Sequence, residues 1–240
     1  MKKLFLGAAA LMALAAPGVS AAQTGYIGAD YGSTDIDGLG SDDAWGVSGA
    51  VELTPNVAID AGVTDNDSDT AWGATGHLYT NNDARLLGGF VGVSDSDVST
   101  SWTVGAEGQW YFGDTTLAAA ASYANDDDNE VDAYGVNGEI RYFVDQNFRI
   151  EGGLGWFNLD TPVGDDTAVS LGVGGEFQFT SAPISLGVGY TRTQTDDTDI
   201  EADTVTATAR WNFGGGTLHD RDHTGAALAG LSGIGAALGL

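Results

Sequence analysis

The sequence predicts an all-β chain, a transmembrane antiparallel up-and-down β-barrel of twelve strands, behind a cleaved N-terminal signal peptide. Three observations carry that expectation. Connections between short two-faced strands alternate strictly, the odd-numbered ones acidic and the even-numbered ones tight turns. Strand segments split by parity into an apolar and a polar face, the period of two that a half-buried strand requires. Aromatic residues gather at the strand ends. Counts of ten or fourteen strands also satisfy the pattern, since single-chain bacterial barrels have even numbers.

In chain order, Lys2 and Lys3 precede an apolar run from Leu4 to Ala16, followed by Pro17, Gly18 and the small residues Val19-Ser20-Ala21-Ala22. This is the layout of a secretory signal, residues 1–22, with cleavage before Ala22 or Gln23. The apolar run is too brief for a membrane-spanning helix, and no later stretch reaches the necessary length. Removing Lys2 and Lys3 takes the formal net charge from −26 to −28 and leaves six basic residues, all arginine, against 34 acidic ones. Such a balance excludes nucleic acid, whose phosphates are bound by Lys and Arg. There is no cysteine, hence no disulfide framework.

The barrel is expected over 23–213. Its acidic connections run from Ser33 to Asp42, Asp65 to Asp69, Ser94 to Asp97, Asn125 to Glu130, Asp160 to Asp166 and Gln194 to Asp199. Between them fall turns centred on Thr54-Pro55-Asn56, Asn81-Asn82-Asp83, Gly113-Asp114-Thr115, Asp145-Gln146-Asn147 and Thr180-Ser181-Ala182-Pro183, built from the residues that turns favour. Parity is clearest late in the chain. Phe148, Ile150, Leu154 and Trp156 alternate with Arg149, Glu151, Gly153 and Gly155. Val205, Ala207, Ala209, Trp211 and Phe213 alternate with Thr204, Thr206, Thr208, Arg210 and Asn212.

On the apolar parity, Trp45, Trp72, Trp102, Tyr134, Trp156 and Tyr190 mark the loop ends, and Trp110, Tyr142, Phe148, Trp211 and Phe213 mark the turn ends. Two such girdles separate a membrane barrel from a soluble β-sandwich, whose aromatics fall anywhere in the core. From Tyr134 to Tyr142 is about 26 Å of strand at ~3.3 Å per residue, or about 20 Å for a tilt of ~40°, the order of an outer-membrane apolar band.

With these features the chain resembles an outer-membrane porin-family β-barrel of the small, glycine-rich kind found in alphaproteobacteria. Trp211-Asn212-Phe213 resembles the terminal signal read by the barrel-assembly machinery, with Thr208 where that signal usually has Gly. The segment from Gly214 to Gly225 resembles the closing segment of such proteins. The resemblance implies a Gram-negative outer membrane, contacts with outer-membrane lipid and lipopolysaccharide, and small solutes or cations as cargo, with no cofactor.

Function then depends on what fills the lumen. The upper lining is small by parity, including Gly46, Ser48, Ala50, Ala118, Ala120, Gly172 and Gly187, while ionisable residues collect toward the turn end: Glu52, Asp60, His77, Glu107, Glu139, Arg141, Arg149, Glu151, Glu176 and Arg210. Two readings use these same residues. As a constriction they screen solutes by charge, and an acidic excess favours cations. As a network across a closed lumen they serve envelope structure or surface interaction. Carboxylates outnumber arginines here, and unpaired buried charge is costly, which argues for solvent in the lumen and for passive diffusion of small hydrophilic solutes. A third reading, an outer-membrane lipid-modifying enzyme, lacks a base beside a nucleophile, so no catalytic residue is assigned.

Three features remain open at this level. Asp65, Asp67 and Asp69 alternate as in the first half of a calcium loop and suit weak divalent binding, but Thr70 and Gly76 stand where such a loop needs Gly and Glu, and a hydrated acidic rim is the simpler reading. The strand carrying Arg85 has Leu86 and Phe90 on one face and Leu87 and Val91 on the other, which implies a bulge or an apolar patch in the lumen. Residues 214–240 form a periplasmic Gly-, Ala- and Leu-rich tail, either a flexible end, which its glycine content favours, or a small helix tucked into the lumen.

Overall fold

The computed structural model describes residues 24–66, 69–97, 99–126, 128–196 and 198–229; the signal segment lies outside them. Twelve strands follow one another: β1 Gly25–Ile36, β2 Gly40–Thr54, β3 Val57–Asn66, β4 Thr70–Asn82, β5 Arg85–Asp95, β6 Thr100–Phe112, β7 Thr115–Asp126, β8 Val131–Asp145, β9 Phe148–Thr161, β10 Gly164–Gln178, β11 Ile184–Thr195 and β12 Glu201–Phe213. Each pairs antiparallel with its neighbours, and β1 pairs with β12, so the sheet closes without an edge. A short helix α1, Leu218–Asp222, and a 3₁₀ turn, Gly225–Leu228, follow β12.

At the end of the closing seam one small residue permits a close approach. Gly25 pairs with Phe213 on one side and Val51 on the other. A Cβ at Gly25 would lie 2.6 Å from the Phe213 Cζ, so the ring lies across the glycine and over the seam. Val51 is wholly buried there although its parity points outward.

The acidic connections are shorter than expected. β1 runs to Ile36 and β2 starts at Gly40, leaving Asp37, Gly38 and Leu39; β9 and β10 leave only Pro162 and Val163. Beyond the bilayer both strand faces are polar, so parity has nothing to report, but backbone pairing continues and cross-strand bonds such as Thr34 to Thr204 at 2.9 Å extend it.

Arg85 sits at the exposed start of β5, whose register with β4 and β6 is unbroken. The apolar patch is therefore the correct alternative, and the bulges fall instead at Glu52/Thr54 and Phe143/Asp145. Leu86 and Phe90 turn inward and are buried, while Val91 and Val93 face out.

The eleven aromatics expected at the girdles lie on the outward parity of their strands. Trp45, Trp102, Tyr134, Tyr142, Trp156, Tyr190 and Trp211 are exposed; Trp72, Trp110, Phe148 and Phe213 are half-buried by neighbours. Several pair across strands, as Tyr134 with Trp156 at 6.0 Å. Arg192, on the same parity, is already engaged by Asp203 in a two-bond fork, at 2.8 and 2.7 Å, and by Glu201.

Candidate functional site

The turn end of the lumen is built from strand residues and from the tail. Gly214, Gly215 and Gly216 take φ values of +86°, +78° and +83°, a left-handed run that reverses the chain after β12 and returns it into the barrel. Thr217 caps α1: its hydroxyl accepts from the Asp220 amide at 3.1 Å, and the Asp220 carboxylate accepts from the Thr217 amide at 2.9 Å. That carboxyl is held below its ordinary range, first by the Thr217 amide.

Contacts from the tail reach strands all round the barrel. The His219 amide donates to the Gln146 carbonyl at 3.0 Å, and its ring meets Phe143 edge-on. His223 stacks on Tyr111 at 4.0 Å, the Gly225 amide donates to Glu52 at 2.8 Å, and Gln109 donates to the Ala227 carbonyl at 3.3 Å. Leu228 is fully buried against Tyr79, Leu86, Phe90 and Tyr111, in space left by Ala58, Ala118 and Ala120. Of the two alternatives for the tail, its first part is therefore lodged in the lumen: packing supplies what helix propensity lacks.

All ten ionisable residues expected in the lumen face it, nine of them in three groups and Glu52 apart, on the Gly225 amide. Around Asp222, which is buried, Arg141 donates at 2.8 Å and Thr116 at 2.6 Å, with Arg149 at 3.7 Å; Arg141 also binds Glu139 at 2.7 Å. Burial pushes the Asp222 carboxyl up, but Arg141 and Arg149 outweigh it and hold the group below the usual carboxylate range. Around Glu176, Arg149 and Arg210 each donate at 3.1 Å and Ser185 adds its hydroxyl; Arg149 also binds Glu151 at 2.9 Å. Arg210 lies 4.6 Å over the Tyr26 ring. In the third group His77 sits between Asp60, at 2.6 Å, and Glu107, at 2.9 Å.

These contacts correct the expectation of unpaired carboxylates. Each lumen carboxylate named above has a polar partner, Glu52 through the Gly225 amide. Sequence parity counted only the strands and missed the tail's donors. It also missed Thr116, Gln109, Arg221, Asp222 and His223. For Arg221, Asp222 and His223 the one signal was a charged cluster, 219–223, in a tail otherwise free of charge beyond residue 214.

Between the tail and the wall of β8 to β12 a cavity of about 410 Å³ remains, lined by Glu139, Arg141, Arg149, Glu151, Glu176, Arg210, Arg221 and Asp222 together with Gly153, Ser170, Gly172, Gly189, Thr191 and Thr206. Small residues leave the space and charged ones floor it.

At the loop end Asp67 lies outside the described residues. Asp65 is exposed, and Asp69 accepts from the Asp97 amide at 2.8 Å, tying one loop to the next. No group of three metal-binding side chains occurs among the described residues.

The profile described as Gram-negative porin matches residues 72–220. No curated protein sequence matches the chain. Among solved structures, a KdgM porin in complex with disordered oligogalacturonate superposes with a TM-score of 0.60 at 10% identity, over 78% of this chain and 99% of that one. The NanC porin gives 0.58 at 8%, over 76% and 98%, and an outer membrane channel from Pseudomonas putida gives 0.56 at 12%, over 80% and 95%.

Proposed function

The chain belongs to the Gram-negative porin family, and from that premise we propose that it passes small hydrophilic solutes by passive diffusion, with cations favoured. As a member of that family it is an outer-membrane channel for small solutes. The observation that carries the proposal is the cavity of about 410 Å³ between the charged wall and the tail. Cation preference is supported by the rim, where Asp42, Asp43, Asp128, Asp165 and Asp199 are exposed and raise the local concentration of cations. In this reading Glu139, Arg141, Arg149, Glu151, Glu176 and Arg210 form the constriction and Glu52, Asp60, His77 and Glu107 the opposite lining. The eleven aromatics anchor the barrel at the two interfaces of the bilayer.

The same reading takes residues 1–22 as a removed signal, 23–213 as the inserted barrel and 214–240 as a tail that enters the lumen from the periplasmic end. It takes the protein as one of the small, glycine-rich alphaproteobacterial porins, delivered by the barrel-assembly machinery into lipid and lipopolysaccharide. It assigns no catalysis, since His77 is taken up by Asp60 and Glu107.

A second reading is favoured by the lodged tail and the paired carboxylates: a closed barrel whose lumen network is structural. Single-channel recording of the refolded protein in a planar bilayer, with reversal potential under a KCl gradient, decides between them. Steady steps with a cation-directed reversal are expected. A folded but silent barrel supports the closed reading, and an anion-directed reversal removes the cation preference.

A further inference from the structure

We propose that Arg221 is the anchor of a binding site for a small carboxylate-bearing solute at the floor of the lumen. The proposal rests on the channel reading only in making that solute a cargo. The guanidinium is presented by α1 and not by a strand. Its Nη1 donates to the Gly215 carbonyl at 2.7 Å, which fixes its plane. The other edge, Nε and Nη2, is buried and without a hydrogen-bond partner. These two N–H groups point the same way, and they are the pair that a planar carboxylate meets with both oxygens.

Arg221 is 8% exposed and lines the cavity. The carboxylates nearby are committed elsewhere. Glu139 and Asp222 bind Arg141, Glu151 binds Arg149, and Glu176 is shared by Arg149 and Arg210. Among the described residues no carboxylate oxygen makes an ion pair with Arg221. A buried guanidinium edge whose two N–H groups meet no acceptor is costly, and a carboxylate arriving through the cavity removes that cost. The Nε of Arg210 is also buried and unpartnered, a second donor on the same cavity wall. A volume of about 410 Å³ lies within the range of small-molecule pockets and admits a solute of a few carbons.

The test is saturation-transfer NMR with acetate as the probe, on the full-length protein in detergent micelles at constant ionic strength. Saturable transfer is expected. Arg221→Gln, which removes both charge and fork, weakens it about tenfold or more, the loss of a charged hydrogen-bonded contact; Arg221→Lys, which keeps only the charge, falls between, and Arg85→Gln leaves it unchanged. Heat-modifiable migration reports the fold of each variant, and exchange protection of the Ala227 amide reports whether the tail is seated. Equal transfer from wild type and a seated Arg221→Gln variant overturns the site. Chloride displacing acetate mole for mole overturns the fork. Because binding is read without a bilayer, acetate binding by a silent barrel keeps the site and removes the channel; conduction without acetate binding removes only the site.

Discussion

Replacing Asp222 with Asn tests whether the tail is held by charge. The carboxylate receives Arg141 at 2.8 Å and Thr116 at 2.6 Å, is buried, and has Arg149 at 3.7 Å. Asn keeps the shape and one acceptor oxygen, so the change removes charge with little loss of volume. Both contacts lose the acceptor's charge, and Glu139 becomes the one carboxylate bound to Arg141 among the described residues. Hydrogen bonds to charged groups contribute about 1.5–3 kcal/mol each, and about half of that when neutral. The seated tail therefore loses about 1.5–3 kcal/mol, a shift of roughly ten- to a hundredfold toward release. Cleavage by trypsin after Arg221 reads that equilibrium, because the bond is accessible only when α1 leaves the lumen and the cleavage rate tracks the open population when closing is fast. Mass spectrometry of the released peptide should show the rate rise by that order while the barrel stays intact. Rates within about threefold of wild type would refute the assignment of Asp222 as the principal tether.

The tail should also loosen through its apolar anchor: Leu228→Ala removes a wholly buried side chain from a cluster with Leu86, Phe90, Tyr79 and Tyr111, at a cost of about 2–4 kcal/mol, seen as faster exchange at the Gly225 and Ala227 amides, and unchanged exchange would discount that anchor. Acidification should release the tail in two stages. Burial, then His219, depresses the His223 pKa, so the contribution of the neutral ring is complete above its ordinary 6.5 and is lost as pH falls through the lowered value. Asp222 and Asp220 are depressed carboxyls, so theirs is complete above 3.8 and is lost as pH falls through their lowered values. Exchange protection followed from pH 8 to pH 2 checks both stages, with His223→Gln removing only the first; release that begins on raising the pH would contradict the sign.

The wall of this barrel was legible because each strand reports its own geometry. The outward series from Phe148 to Trp156 and the inward Arg149, Glu151 and Glu176 follow from a period of two, and the same logic set the aromatic bands. For β5 it left two alternatives, a bulge or an apolar patch in the lumen, and the strand takes the patch. Leu86 and Phe90 are apolar yet inward, because Leu228 gives them an apolar partner inside. The tail itself was not legible. Gly, Ala and Leu in 225–240 carry no period, and its partners, Glu52, Gln109 and Thr116, lie far off in sequence. Of the lumen carboxylates on the strands only Glu52 is partnered from that segment, through the Gly225 amide; the others meet Arg141, Arg149, Arg210 and His77, inward by parity, whose pairings a period of two does not report.

The lodged tail explains why the lumen has two unlike halves. On the side of β3 to β7 the inward residues include Ala58, Ala118, Ala120, Leu86 and Phe90, an apolar surface covered by Leu228, beside the self-contained group of His77, Asp60 and Glu107. On the side of β8 to β12 they are charged, and each carboxylate there is bound by an arginine on the same or an adjacent strand or on the tail's own side of the cavity. A tail that filled the lumen symmetrically would bury those ion pairs completely, and desolvation would then exceed what their attraction returns. Lodged against the apolar half, it leaves the charged half beside a cavity of about 410 Å³, where water can solvate the outer oxygens and nitrogens. The off-centre seat and the open cavity are thus one arrangement: apolar packing holds the tail to one side while Asp222 joins Arg141 and Arg149 as a buried counter-charge, and Glu139, Arg149, Glu151 and Arg210, still partly exposed, line the space that remains.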